Sequence, residues 1–185
     1  MANIMNPPVI VEGPDCCGKT TLSRHLAQKY GWIYWHCTAS KALFPGLADY
    51  HENILDNIQE SEQTFVLDRF WPSEVAYGSW LLRPRNNYTL RAAIIHEALA
   101  RVGGLYVFCF SAKGWDRYRA GHEDPAHALS KDQYYQVYAN YKNLFQELDY
   151  NKVLLYNLDT DGQDLDKACE RIYEHLWKPA ERCVG

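Results

Sequence analysis

The 185-residue sequence is short of several things, and each shortage closes a class of function. No apolar run reaches the roughly 20 residues that a membrane-spanning helix needs, and no charged-then-apolar leader opens the chain. Basic charge is not in surplus. Nineteen Lys and Arg stand against 23 Asp and Glu, a net charge of -4, so there is no sequence-wide positive field for gripping a nucleic-acid backbone. That disfavours nucleic acid as an obligate partner. The six cysteines (Cys16, Cys17, Cys37, Cys109, Cys169 and Cys183) include no C-x-x-C pair, the pattern of reduced thiols in a cytoplasmic protein. His36 beside Cys37 reads as a strand end rather than half of a metal site. Repeats, linkers and low-complexity blocks are missing too, so residues 1–185 read as one domain. Its 47% hydrophobic content is enough to bury a core without disulfides or metals.

What is present centres on Val9 to Arg24, VIVEGPDCCGKTTLSR. An apolar run leads into Gly13, four intervening residues, then Gly18, Lys19 and Thr20, and an amphipathic segment follows. This is a strand, a phosphate loop and a helix. The glycines let backbone N–H groups turn inward around a polyphosphate, and the helix start adds its positive dipole end. Lys19 supplies a mobile charge and Thr20 a hydroxyl for Mg²⁺. ATP with Mg²⁺ is the expected cofactor pair, held by Gly13, Asp15, Cys16, Cys17, Gly18, Lys19, Thr20 and Thr21.

Along the rest of the chain, apolar strands alternate with helical periodicity. Strands are expected at 9–11, 32–37, 64–68, 105–110 and 152–156. Helices are expected at 19–30, 47–60, 72 to about 82, 89–102, 131–148 and 165–177. Gly31 and the Gly103-Gly104 pair stop two of the helices, and Pro72 can start another. Residues 1–8 read as a short disordered lead. Residues 111–130, rich in Gly, His, Arg and Asp, read as a mobile lid. The alternation implies an α/β fold with a parallel sheet and ligands at its carboxyl edge.

Three blocks, EGPDCCGKTT (12–21), DRFWPSEVAYG (68–78) and DRYRAGHED (116–124), resemble the thymidylate kinase group of P-loop nucleoside monophosphate kinases, with a weaker likeness at YNLD (156–159). The resemblance implies a three-layer α/β/α P-loop kinase with a central parallel five-stranded sheet and a mobile lid. It also implies that Asp15 holds the acceptor deoxyribose 3′-hydroxyl, where the alternative is a residue that turns the loop. Asp68 is placed at Mg²⁺ or a phosphate and Arg69 on the acceptor phosphate, where the alternative is a strand-end ion pair. Lid residues Arg117 and Arg119 would close over the transferring group, because this phosphate loop carries Cys16 and Cys17 and no arginine. Tyr77 falls at an aromatic position near the sugar, or is a core aromatic. Relatives often pair as homodimers, which leaves Ile54, Ile58, Ile94 and Leu99 open between such a face and the core.

The departures bear on the acceptor. The Arg-Glu-Pro-Gly-Gly sequence common after the second strand of relatives is replaced here by residues 38–46, and a glutamine that reads thymine is replaced by Gly78. Phe44, Trp71, Arg83, Arg85 and Tyr88 are open as base contacts. The expected activity is ATP- and Mg²⁺-dependent phosphoryl transfer to a deoxynucleoside monophosphate such as dTMP. A phosphate acceptor is already an anion near neutral pH and needs no general base. The alternatives are a deoxynucleoside kinase, for which Glu12 or the end of the second strand would have to supply a base, a kinase of hydroxymethylated bases in DNA, and an ATP-binding switch.

Overall fold

The computed structural model describes residues 6–37, 47–78, 88–121, 128–148 and 153–177. Five strands, β1 (Val9–Glu12), β2 (Ile33–His36), β3 (Phe65–Asp68), β4 (Leu105–Phe110) and β5 (Val153–Asn157), form one sheet in the order β2-β3-β1-β4-β5. Every pairing is parallel. The helices are α1 (Lys19–Tyr30), α2 (Leu47–Glu60), α3 (Trp71–Tyr77), α4 (Tyr88–Arg101), α5 (Gly114–Gly121), α6 (Lys131–Glu147) and α7 (Leu165–Trp177), with a 3-10 turn at Asp161–Gln163.

Strand register decides which helices each residue meets. Ile10 lies beside Leu67 on one side and Tyr106 on the other, and these three point to one face. There they pack with Ile54 and Ile58 of α2, Trp71 and Tyr77 of α3, Ile95 and Leu99 of α4, and Tyr141 and Phe145 of α6. Val9, Val11, Val66 and Val107 point to the opposite face, against Leu22 and Leu26 of α1 and Ile172 and Leu176 of α7. The result is three layers. With both faces covered, β1 and β3 are buried throughout, which is why each reads as three apolar residues closed by a carboxylate.

Local signals explain the boundaries. Gly31 closes α1 at φ 68°, and its N–H bonds the Ala27 carbonyl. A capping box between Ser130 and Gln133 starts α6. Pro72 sits in the first turn of α3, which ends at Tyr77 with Gly78 as its cap, and residues 79–82 of the expected helix lie outside the described residues. Within the expected lid, 114–121 is the helix α5, with Tyr118 buried. Pro7 and Pro8 are buried, with the Pro8 carbonyl accepting from Leu105 N–H, so the lead is packed from Pro7 onward. Of the four residues open between a dimer face and the core, Ile54, Ile58 and Leu99 are core, while Ile94 is 55% exposed. No helix among the described residues is long and apolar enough to cross a membrane.

Candidate active site

The phosphate loop joins β1 to α1 under close steric control. Gly13 has φ 139°, and a side-chain carbon there would lie 2.1 Å from the Cys109 carbonyl oxygen of β4, so only glycine fits. Gly18 has φ 83° and abuts Leu158. Cys16 adopts φ 61°, a left-handed conformation that a residue with a side chain enters at a cost of about 1–2 kcal/mol. Lys19 curls back over the loop, its Nζ donating to the Pro14 carbonyl at 2.6 Å. It is only 5% exposed. Burial, then the nearby Arg69 charge, holds its pKa below the usual lysine value. No acidic residue occupies the first turn of α1, so nothing there competes with an anion for the helix N-terminus. A glycine cradle, a buried ammonium group and a free helix start fit the phosphates of a nucleoside triphosphate.

Beside the loop, at the end of β3, Asp68 is fully buried. Its Oδ2 accepts from Thr20 Oγ1 at 2.6 Å and from Tyr34 OH at 3.0 Å, and lies 2.9 Å from His36 Nδ1. Its Oδ1 is buried with no hydrogen-bond partner among the described residues. Among those residues no group of three or more His, Cys, Asp or Glu side chains could hold a metal ion by itself. The Thr20–Asp68 pair instead suits a hard cation that keeps waters and takes further ligands from phosphate oxygens, as Mg²⁺ does. The vacant Oδ1 acceptor is the observation that makes the fit. Thr21, one residue further, is exposed. His36 sits on Asp68, and the neighbouring Cys37 is buried.

On the other side of the loop, Arg69 has φ 70°. Its guanidinium Nη2 donates to Asp15 Oδ1, and its ring-face partner is Tyr77, with Cζ 5.5 Å from the ring centroid. Burial alone would raise the Asp15 carboxyl, but Arg69 and Lys19 outweigh it and hold the pKa below the ordinary value. Tyr77 is 8% exposed and its OH accepts from the Asp15 N–H at 3.1 Å, so it is a core aromatic and also a wall of this site.

Arg69 holds its backbone conformation because both neighbours are fixed. Its own N–H donates to the Val11 carbonyl at 3.0 Å. The next N–H, from Phe70, donates to Glu12 Oε1 at 2.5 Å, and Ser73 N–H reaches the same oxygen at 3.3 Å. Ser73 Oγ and Tyr141 OH donate to Glu12 Oε2 at 2.7 and 3.0 Å. Glu12 therefore caps the start of α3 from beneath. Burial raises its pKa against these hydrogen bonds.

The two lid arginines part company. Arg117 is paired with Asp159 at 2.8 Å and donates to Ser111 Oγ at 2.5 Å, and its charge reaches Cys16 of the loop. Arg119 is exposed on the outer side of α5. Asp159 also accepts from Ser111 Oγ and Ala112 N–H, which ties the loop after β5 to the start of α5. Trp71, a candidate base contact, is 4% exposed and donates to Tyr106 OH at 3.1 Å, so it is core. Phe44, Arg83 and Arg85 lie outside the described residues, as does the side chain of Tyr88.

Sequence reasoning left Ser73 without a role and weighed Glu12 both as a candidate base and as a structural residue beside the loop. It had no assignment for Tyr34, Tyr134 or Tyr141. The available signal was strand parity: Glu12 shares the face of Ile10, and Asp68 that of Val11 and Val66.

This sheet order, phosphate loop and flanking helices give the chain the fold of the P-loop nucleotide kinases. Among solved structures it is similar to the YorR protein of Bacillus subtilis in complex with phosphorylated GDP, at 18% identity and a TM-score of 0.65 over 90% of this chain and 93% of that one. It is also similar to thymidylate kinase from Ehrlichia chaffeensis, at 13% identity and a TM-score of 0.56 over 92% and 98%. Deoxyadenosine kinase from M. mycoides, with dCMP and dCDP bound, matches at 11% identity and a TM-score of 0.56 over 91% and 97%. No protein-family model and no curated protein matches the chain. At these identities the likeness establishes the fold, and the substrate has to be argued from the site.

Proposed function

We propose that the protein transfers a phosphoryl group from ATP to a nucleoside monophosphate, with a deoxynucleoside monophosphate such as dTMP as the preferred acceptor. The observation that carries this reading is that Asp15, Arg69 and Tyr77 form one set of contacts at the phosphate loop and Thr20 and Asp68 another. One loop thus has a cation-binding side and a side with a planar, bidentate-capable guanidinium, the group best matched to a phosphate monoester. When bound, ATP with Mg²⁺ supplies the phosphoryl group and offsets the charge on its oxygens. Lys19 and the loop N–H groups bind the donor phosphates, and Thr20 and Asp68 would hold the cation. Arg69 orients the acceptor phosphate, Asp15 takes the sugar hydroxyl, and Tyr77 limits the space beside it. Arg117, on the lid side of the loop, is placed to add positive charge once it leaves Asp159. With positioning and charge supplied, phosphoryl transfer needs little else from the protein.

A phosphate acceptor is favoured over a hydroxyl acceptor by Glu12. This carboxylate lies beside the loop, yet it is fully buried with both oxygens engaged, and so is spoken for as a general base. A nucleoside acceptor is the second reading, and His36 at the end of β2 is the observation in its favour. An ADP-release assay with ATP, Mg²⁺ and a panel of nucleoside monophosphates, free nucleosides and single-stranded DNA with modified pyrimidines tests both. Stimulation by one or a few deoxynucleoside monophosphates supports the proposal. Stimulation by nucleosides alone moves it to the second reading, and a silent panel removes the kinase assignment.

A further inference from the structure

Asp15 stands in the loop just before Cys16, whose positive φ makes this backbone unfavourable unless something outside holds it. Two phenols do so. Tyr77 of α3 accepts from the Asp15 N–H at 3.1 Å, and Tyr134 of α6 donates to the Asp15 carbonyl at 3.0 Å. Both main-chain polar groups of Asp15 are therefore tied to tyrosines, while its side chain is left to Arg69, with Lys19 at 3.9 Å.

Tyr134 also meets the lid. It is 3% exposed, and its hydroxyl lies 3.6 Å from Cys17 Sγ. The first residue of α5 is Gly114, where a side-chain carbon would come 2.4 Å from the Tyr134 oxygen and 3.3 Å from Cys17 Sγ. Glycine at 114 lets the first turn of α5 settle on this hydroxyl. Phosphate loop, α5 and α6 meet at one phenolic oxygen.

We infer that Tyr134 is a positioning residue for the acceptor: it fixes the Asp15 main chain and thereby aims the Asp15 carboxylate at the sugar. The inference rests on the acceptor role proposed for Asp15. A tyrosine that only filled the core would affect both substrates alike when altered, whereas this one donates its hydrogen bond to Asp15.

The test pairs Tyr134→Phe, which keeps the ring and removes the hydroxyl, with Gly114→Ala, which keeps the hydroxyl and displaces it. Each should raise the acceptor KM by about fivefold to tenfold, the loss of one neutral hydrogen bond, with the ATP KM within about twofold. Each should also shrink the preference for a 3′-hydroxyl over a 3′-deoxy monophosphate by a similar factor. Equal shifts in both KM values, or none, overturn the inference. A second readout needs no turnover. In a Cys183→Ser background, Cys16 is the half-buried thiol beside buried Cys17, Cys37, Cys109 and Cys169. Its labelling by an aromatic disulfide should accelerate several-fold in Tyr134→Phe, and an unchanged rate counts against the clamp. If the wild type turns over no acceptor, the proposed function falls, and the labelling rate alone decides whether Tyr134 holds Asp15.

Discussion

Two carboxylates end neighbouring parallel strands, and both are fully buried, yet they are used in opposite ways. Asp68 takes the register of Val11 and so faces α1, where three side chains crowd one of its oxygens and leave the other without a partner. Glu12 faces α3 and α6, and both its oxygens are engaged by backbone and side-chain groups. Leaving a buried acceptor unpaired costs about 1–3 kcal/mol, a cost that a bound cation would remove. In the proposed reading the open oxygen belongs to the ligand side at α1, and the saturated Glu12 to a scaffold behind the proposed acceptor side at α3. Two carboxylates, one strand apart, are thus assigned by the proposed function to ligand binding on one face and construction on the other.

The largest effects should break the first half of this contrast. Lys19→Ala and Asp68→Asn remove the buried lysine charge and the charge of the carboxylate whose Oδ1 is open. Each should lower kcat by about a thousandfold or more, as losses of phosphoryl-transfer machinery do. Asp68→Asn should also shift the Mg²⁺ requirement upward, while a Mg²⁺ titration identical to wild type would remove Asp68 from the cation site. Next comes the acceptor side. Arg69→Ala should cost about a hundredfold in kcat/KM for the acceptor, as for a part-buried charge-assisted contact to a phosphate, with the ATP KM nearly unchanged. Equal damage to both substrates would sink the role given to Arg69.

Glu12→Gln sharpens the second half. The amide can still accept from Phe70 and Ser73, but its NH₂ now faces the Ser73 and Tyr141 hydroxyls. A loss of about 1–3 kcal/mol in urea unfolding is expected, with an acceptor KM raised about tenfold and the ATP KM unmoved. A general base would lose turnover at fixed KM and stability instead, so the two roles separate in one set of measurements.

Much of this was legible in the chain. β1, the phosphate loop and α1 are contiguous, so Gly13, Lys19 and Thr20 announce themselves by spacing, and the five strands and their order along the chain follow from apolar runs between glycine and proline signals. What a linear reading lacks is the partner. Glu12 meets Phe70, 58 positions away, and Tyr134 meets Asp15, 119 positions away. Neither pairing leaves a local trace, and a carboxylate beside a phosphate loop reads equally as base or scaffold. The left-handed backbone of Arg69 is similarly silent, because the long-range hydrogen bonds that stabilise it override the local preference of an arginine. The lid arginines, two residues apart, could be separated only when the Asp159 contact showed which side of α5 meets the loop. Sheet order is set by crossovers, and it places β1 between β3 and β4 where chain order alone would not.

The smallest effect tests how tightly the acceptor face is closed. His51 of α2 is 2% exposed, with its ring 4.5 Å from that of Phe70, the residue after Arg69. Burial lowers its pKa from 6.5 to about 3. Above pH 6.5 the ring is neutral whether the chain is folded or unfolded, and its full contribution to stability is present. As the pH falls below 6.5 the unfolded chain takes up a proton that the folded one refuses, and stability drains away at about 1.4 kcal/mol per pH unit until the folded ring titrates. His51→Leu has no proton to gain. Its stability deficit relative to wild type, measured by urea unfolding, should therefore shrink by about 2 kcal/mol between pH 7.5 and pH 5. A deficit that stays constant would mean that the ring already takes up its proton in the folded protein. In that case water reaches the face behind Arg69, and the acceptor side would be the looser half of the molecule rather than the saturated scaffold that Glu12 indicates.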